Sequence, residues 1–411
     1  MPSFLRRLQV APWAVAAAGF AMMFASGAIW GSFTLFLVAI EADTGWSKTT
    51  IALGFTVFTF FGACTAPVTG WLTDRHGAQA TLAGLTLVFA LGLGLAALAD
   101  SPLAFYASFG MLGGFGAQCC GSYTLFTVAG NWFRRPATAM AIMDSGSGIG
   151  TLVSLPVLRL IIEAHSWRAA YLALAILALV VVLPLAAIFM RLHPPGREPP
   201  PPADGHVAHR SPLAAIGAIS ASPVLRWLAI VHLLAPMTFH AIGSHQVAFF
   251  QDAGMRQDVA VLLVATTGFT FFAGRLAFGA LIDARGIATA GAIKAVAAIA
   301  TLGLMLALPL LASAAPAYAY PVLFAIGFSS TGILFTNAAR LLIDPASFNA
   351  VFGAMRLLYG TGVALGPPAM AAMVDATGRF DLPLALVGAV LLFHHAAFVA
   401  LARGAGRRGA R

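Results

Sequence analysis

Residues 279–286 read GALIDARG, and residues 70–77 read GWLTDRHG. Both octets open and close on Gly and place Asp at the fifth position. The two aspartates are 209 residues apart (283 − 74 = 209). A fainter pair, RPATAM at 135 and DPASFN at 344, has the same spacing (344 − 135 = 209). Two matches at one offset suggest a duplicated unit of about half the chain. The stretch leading into the second octet, FTFFAGRLAF at 269–278, is apolar except for Arg275, eight residues before Asp283. The solvent around these segments decides the fold, and composition identifies it.

The chain has 411 residues, 60% hydrophobic and 9% charged, with a mean hydropathy of +0.89. A soluble domain carries about 25% charged residues. So much apolar surface calls for lipid, and stretches of about 20 apolar residues recur, each able to cross about 30 Å of hydrocarbon. The first run, Ala11 to Ile40, is too long for the apolar core of a signal peptide. Twelve spans are read, near 12–36, 49–71, 79–99, 103–129, 138–162, 168–190, 224–250, 259–282, 287–311, 317–340, 348–374 and 383–402. With the N-terminus inside, the inner segments hold fifteen Lys or Arg and the outer loops four: Lys48, Arg168, Arg256 and Arg379. That bias sets both termini on the cytoplasmic side. It also accounts for the net charge of +9 without invoking nucleic acid. The longest polar break, RLHPPGREPPPPADGHVAHRSP at 191–212, is Pro-rich and reads as an extended linker. The expected organisation is a six-helix bundle at 1–190, a cytoplasmic linker at 191–222 and a second six-helix bundle at 223–411. Repeats facing the same way imply an axis along the membrane normal.

The sequence resembles the major facilitator superfamily over nearly its whole length. GWLTDRHG is similar to that family's signature between helices 2 and 3, and GALIDARG to its second-half version. The finer resemblance is to the oxalate:formate antiporter and monocarboxylate transporter branch, through GWSKTTIA at 45–52, NWFRRPATAMAI at 131–142, GSGIGTLVSLPV at 146–157, SWRAAY at 166–171, HQVAFFQDAG at 245–254 and GRLAFGALID at 274–283. The resemblance implies an all-α, twelve-helix alternating-access transporter, with spans 1, 4, 7 and 10 lining a cavity. It implies basic residues on helices 8 and 11 for a carboxylate, matching Arg275 and Arg356. Arg356 stands where some members carry Lys. It also implies a helix 4 tyrosine at the substrate, matching Tyr123.

The physical reading of these residues is independent. Arg275 lies about 12 Å along the helix from Asp283, and Arg356 about 13 Å from Ser347. Both are therefore near mid-membrane, where a charge must face a polar cavity or a partner. Guanidinium binds carboxylate through a two-point fork, giving orientation as well as charge. The competing reading is a structural lock to backbone carbonyls or Asp144. Tyr359, one turn above Arg356, can share its ligand, and Trp30, Phe33, Phe324 and Phe328 can wall it. Asp74 can sit at the N-terminus of another helix, so Asp74, Arg75, Asp283 and Arg285 are gating candidates. Asp144, inside span 5, and His240, on span 7, are candidates for carrying a proton. Arg159 and Glu163 (i, i+4) should form a salt bridge. Cys64, Cys119 and Cys120 read as packing residues. Neither a catalytic nucleophile nor a metal or nucleotide fingerprint is present, so neither an enzyme nor a cofactor is expected.

The expectation is a monomeric carrier of mono- or dicarboxylates in a bacterial inner membrane, working by anion exchange or with protons. The alternatives are a proton-coupled monocarboxylate symporter using Asp144 or His240, and a drug exporter of the same fold. The latter would want an acidic cavity, and the buried charges here are basic.

Overall fold

The computed structural model describes residues 11–196, 211–311 and 313–409, and among them no strand forms. Nine helices among the described residues are long and apolar enough to cross a membrane. Two of these run 49 and 54 residues, Lys48–Ala96 and Gln257–Leu310, enough for two passages each. Each bends at a glycine: Gly77 (φ 82°, ψ 162°) and Gly286 (φ 81°, ψ 167°). These are the closing glycines of the two octets, 209 residues apart (286 − 77 = 209). That backbone conformation is essentially reserved for Gly. Residues 102–132 are helical in short pieces, including a π-helical segment Tyr106–Gly113 and a 3₁₀ turn Ala117–Cys120. The arrangement is consistent with the twelve passages read from sequence.

Contacts divide the chain into two units. The first takes the chain through Ala215 together with Pro345–Ala354, and the second takes Ile216–Asp344 and Met355–Arg411. Within 191–222, expected as linker, Pro212–Ala221 forms a helix. Residues 197–210, the Pro-rich core of that linker with Arg197 and Arg210, lie outside the described residues, as do Arg6, Arg7 and Arg411.

The first unit is built on a stack of aromatic rings. Phe33 lies on Phe55 (4.3 Å between centroids), Phe58 on Phe109 (4.9 Å), and Phe36 on Tyr171 (4.2 Å). Polar side chains tie helices through backbone carbonyls: Tyr106 Oη donates to Thr50 O (2.8 Å) and Gln118 Nε2 to Gly62 O (2.7 Å). Gly146 and Gly150, one turn apart, press against the carbonyls of Phe20 and Phe24, leaving no room for a methyl. Small residues thus let these two helices meet backbone to backbone. The second unit repeats the device: Gly362 and Gly366 press against the carbonyls of Leu233 and Met237. Its core gathers Phe249, Phe250, Tyr320, Phe324, Phe328 and Leu391. Prolines sit inside the long helices at Pro67, Pro156, Pro236, Pro367 and Pro368.

Candidate functional site: half-buried arginines and the octet turns

The second unit holds both candidate arginines. Arg275 is half-buried on the arm of Gln257–Ala307 that ends at the Gly286 bend. One turn before it, Phe271 joins an aromatic cluster with Phe239 (5.9 Å) and Phe324 (5.5 Å). Arg356 is half-buried on Phe348–Thr377, its Cζ 4.1 Å from the centre of the Tyr359 ring. A guanidinium on an aromatic face is held in orientation by the ring quadrupole while its edge N–H groups remain directed outward. The Tyr359 ring is in turn 5.4 Å from the buried imidazole of His232, which also meets Phe335 at 4.9 Å. The (i, i+3) spacing of Arg356 and Tyr359 brings them together as expected. His232 is a neighbour to which sequence reasoning gave no role. Its signal was an imidazole in an apolar helix, eight residues before the candidate His240 (240 − 232 = 8).

The other named residues fall into different surroundings. Tyr123 belongs to the first unit, where its hydroxyl donates to Ala66 O (3.0 Å) and its ring lies 6.4 Å from Phe352. Trp30 meets Phe55 and Phe58 edge-on at 5.7 and 5.3 Å. Phe324 and Phe328 are buried against each other (4.8 Å) and against Phe239, so they form part of the core. Asp144 is half-buried on Pro136–Ala164, where its carbonyl accepts from Ser147 Oγ (2.7 Å). His240 is half-buried and edge-on to Phe239 at 4.8 Å. Arg159 and Glu163 form the expected salt bridge at 2.6 Å, on the surface.

At the turn formed by the first octet, Asp74 accepts three hydrogen bonds: from Asn349 N (3.3 Å), Asn349 Nδ2 (2.8 Å) and Ala350 N (2.8 Å). These amides belong to the first turn of Phe348–Thr377. Asp74 thus caps a helix far away in sequence, satisfying donors that have no partner within their own helix. Close packing supports it, because Gly70 abuts the Asn349 carbonyl and Gly353 the Ala66 carbonyl. Arg75 is exposed, its Cζ 5.5 Å from the Trp71 ring. Asp283 is half-buried and Arg285 exposed beside Gly286. A recess of about 490 Å³ opens beside Gly77, lined by Asp74, His76, Gln79, Arg191 and His193 among others.

Sequence reasoning also missed a cluster around Asp43. Asp43 accepts from Trp167 Nε1 (2.8 Å) and pairs with Arg168, which reaches Asp100 at 3.6 Å. The Trp167 hydrogen bond, then the Arg168 hydrogen bond and charge, hold the Asp43 carboxyl below its ordinary range. The signal was present in SWRAAY, named as a motif without a partner for its Trp and Arg. Among the described residues, no group of three or more His, Cys, Asp or Glu is placed to hold a metal ion. Cys119 and Cys120 are buried with sulfurs 3.6 Å apart, and the three cysteines are free thiols.

Solved structures share this architecture. The chain superimposes on a fucose transporter in the outward conformation with a TM-score of 0.73 at 15% identity, covering 97% of this chain and 99% of that one. A human organic anion transporter, MFSD10, gives 0.70 at 16% identity, covering 97% and 100%. Among curated proteins, human monocarboxylate transporter 11 is 26% identical over 405 residues, 95% of this chain and 83% of that protein. Rat (Rattus norvegicus) monocarboxylate transporter 12 is 24% identical over 414 residues, 93% and 83%. The profile of the Major Facilitator Superfamily matches residues 18–367. The chain therefore belongs to the Major Facilitator Superfamily, a family of multi-pass membrane transporters rather than enzymes.

Proposed function

We propose that this protein carries small carboxylates across a bacterial inner membrane by alternating access, as a monomer with both termini cytoplasmic. Arg275 and Arg356 are its anion-binding residues. The observation that carries the reading is that one unit holds two permanently charged guanidiniums, each half-buried on a long apolar helix and one of them against the Tyr359 ring. Such groups favour a bidentate anion over a cation or a neutral drug. The relatives named monocarboxylate transporters support the substrate class. The Tyr123 hydroxyl would have to leave the Ala66 carbonyl to reach substrate. The Asp74 cap on Asn349 and Ala350 is a contact that a gate can break and remake, and Asp283 serves the second turn in the same role.

Uptake of labelled mono- and dicarboxylates into proteoliposomes tests this, with matched internal substrate and with an inward proton gradient alone. A charge-assisted hydrogen bond contributes about 1.5–3 kcal/mol, so Arg275→Ala or Arg356→Ala should lower uptake about 10- to 100-fold. Wild-type behaviour in both variants, or no carboxylate moved by the wild type, overturns the assignment.

A further inference from the structure

Lys294 lies in the arm of Gln257–Ala307 beyond Gly286 and is 4% exposed. Its Nζ has no hydrogen-bond partner among the described residues. The side chain packs over the Phe328 ring, 5.9 Å from its centre. Two adjacent buried histidines, His394 and His395, come from the helix Asp381–Gly409 with ring centroids 4.2 Å apart. Lys294 acts electrostatically on both. Three basic side chains thus share one buried region, and no carboxylate of the described residues pairs with any of them.

The hydrogen bonds set the histidine tautomers. His395 Nδ1 faces the Leu391 carbonyl at 3.0 Å. A carbonyl can only accept, so Nδ1–H donates and Nε2 is the basic atom. Thr238 Oγ1 donates its one proton to Ala235 O (3.0 Å), so towards His394 Nε2 (3.3 Å) it accepts. His394 Nε2–H therefore donates and Nδ1 is its basic atom. Each imidazole keeps one lone pair for a proton, beside an amine able to give or take one. Two positive charges this close in a low-dielectric interior repel strongly, and none at all leaves three unprotonated bases. The arrangement favours one proton. The other titratable groups on the packed elements are Arg226, His232 and His240 on Pro223–Gly243, Asp258, Arg275, Asp283 and Arg285 on Gln257–Ala307, Tyr320 on Tyr320–Phe328, Arg340 on Thr331–Leu342 and Asp381 on Asp381–Gly409. Asp258 pairs with Arg256 and Asp381 with Arg379, and among the described residues none of the three carboxylates forms an ion pair with Lys294, His394 or His395.

We propose that Lys294, His394 and His395 form a proton-binding site that loads and releases one proton in each transport cycle. The proton moves between Lys294 Nζ and an imidazole nitrogen, with no other bond made or broken. This rests on the carboxylate-carrier reading above but assigns coupling to residues other than Asp144 and His240.

The test uses the full chain in proteoliposomes with Lys294→Met, always neutral, and Lys294→Arg, always charged. An inward gradient of two pH units can drive up to about 100-fold accumulation of a solute carried with one proton. Wild type should accumulate carboxylate in this way. Both variants should fall to equilibration while keeping exchange of internal for external substrate. Wild-type accumulation in the variants, or a wild type that exchanges substrate but ignores the proton gradient, overturns the proposal. A second readout is the pH titration of ¹⁵N-histidine signals in lipid, which needs no substrate. His394 and His395 should titrate together in wild type and shift in Lys294→Met. If no carboxylate moves at all, the carrier reading fails and these spectra decide the proton site alone: shifted signals support it and unchanged signals overturn it. Should Lys294→Met not fold, His395→Gln is read in both assays with the same expectations.

Discussion

The two units carry the same turns with different side chains around them. At the octet turn, Gly77 and Gly286 adopt the same φ and ψ within a few degrees. Yet Trp71 and Arg75, which stack in the first turn, are replaced by Ala280 and Ala284 in the second. At the turn before each long bent helix, Asp43 and Gly45 have counterparts Asp252 and Gly254 at the same spacing (252 − 43 = 209). Both glycines have positive φ, 71° and 84°. Both turns feed helices whose N-caps, Ser47 and Arg256, are again 209 apart (256 − 47 = 209). But Asp43 is held by Trp167 and Arg168, whereas Asp252 is exposed and has no ion-pair partner among the described residues. Backbone geometry survives duplication because only Gly meets it, while side-chain partners are replaced freely.

The strongest way to break this comparison is at the bends. Nothing lies within 4 Å of a Cβ added at Gly77 or Gly286, so the cost of alanine is purely backbone. Gly77→Ala and Gly286→Ala should each lose about 1–3 kcal/mol, read as lowered thermal midpoints in detergent. A drop in one but not the other would mean the bends are not equivalent. Next comes Asp74→Asn, which removes the charge from a three-bond helix cap. It should cost about 1 kcal/mol, with faster hydrogen exchange in the peptide covering 345–354. Unchanged exchange there would mean Asp74 is not the cap.

A smaller effect separates the Asp43 and Asp252 turns. The Asp43 carboxyl titrates lower in the folded chain than its ordinary value, so its stabilisation is complete above that value and lost as pH falls through the folded one. Below about pH 4 the wild type should lose stability that Asp43→Asn lacks from the start, while Asp252→Asn changes nothing. Because Asp43 is half-exposed, the difference should stay below about 1 kcal/mol. Smallest is Arg75→Ala, at most about 1 kcal/mol for an exposed cation–aromatic pair. It would bring the first turn closer to the second, and a thermal midpoint falling as far as in Asp74→Asn would show that Arg75 does more than stack.

Much of this was legible because apolar length and Gly–Asp spacing are local signals. The membrane spans, the two bends and the Arg159–Glu163 pair follow from residues near one another in sequence. Asp74 was readable as a helix cap, but the helix it caps starts 274 residues later (348 − 74 = 274), and spacing cannot name it. The Tyr123 hydroxyl was assigned to a ligand, where a backbone carbonyl of a packed helix holds it in this conformation. Phe324 and Phe328 were read as cavity walls, and their burial depends on which face of the helix turns to Phe239. Lys294 is a single charge in an apolar helix, and its neighbour His394 is a hundred residues away (394 − 294 = 100), a pairing that spacing does not reveal.

The glycine seams have a mechanical consequence. Where Gly146 and Gly150 lie on Phe20 and Phe24, and Gly362 and Gly366 on Leu233 and Met237, backbone rests on backbone with no side-chain teeth between. Such a joint resists substitution, since even one methyl strikes an oxygen. Yet it has no interlocking rotamers to unlatch when one helix slides or pivots on the other. Each unit thus contains a bearing that is brittle to mutation and smooth in motion.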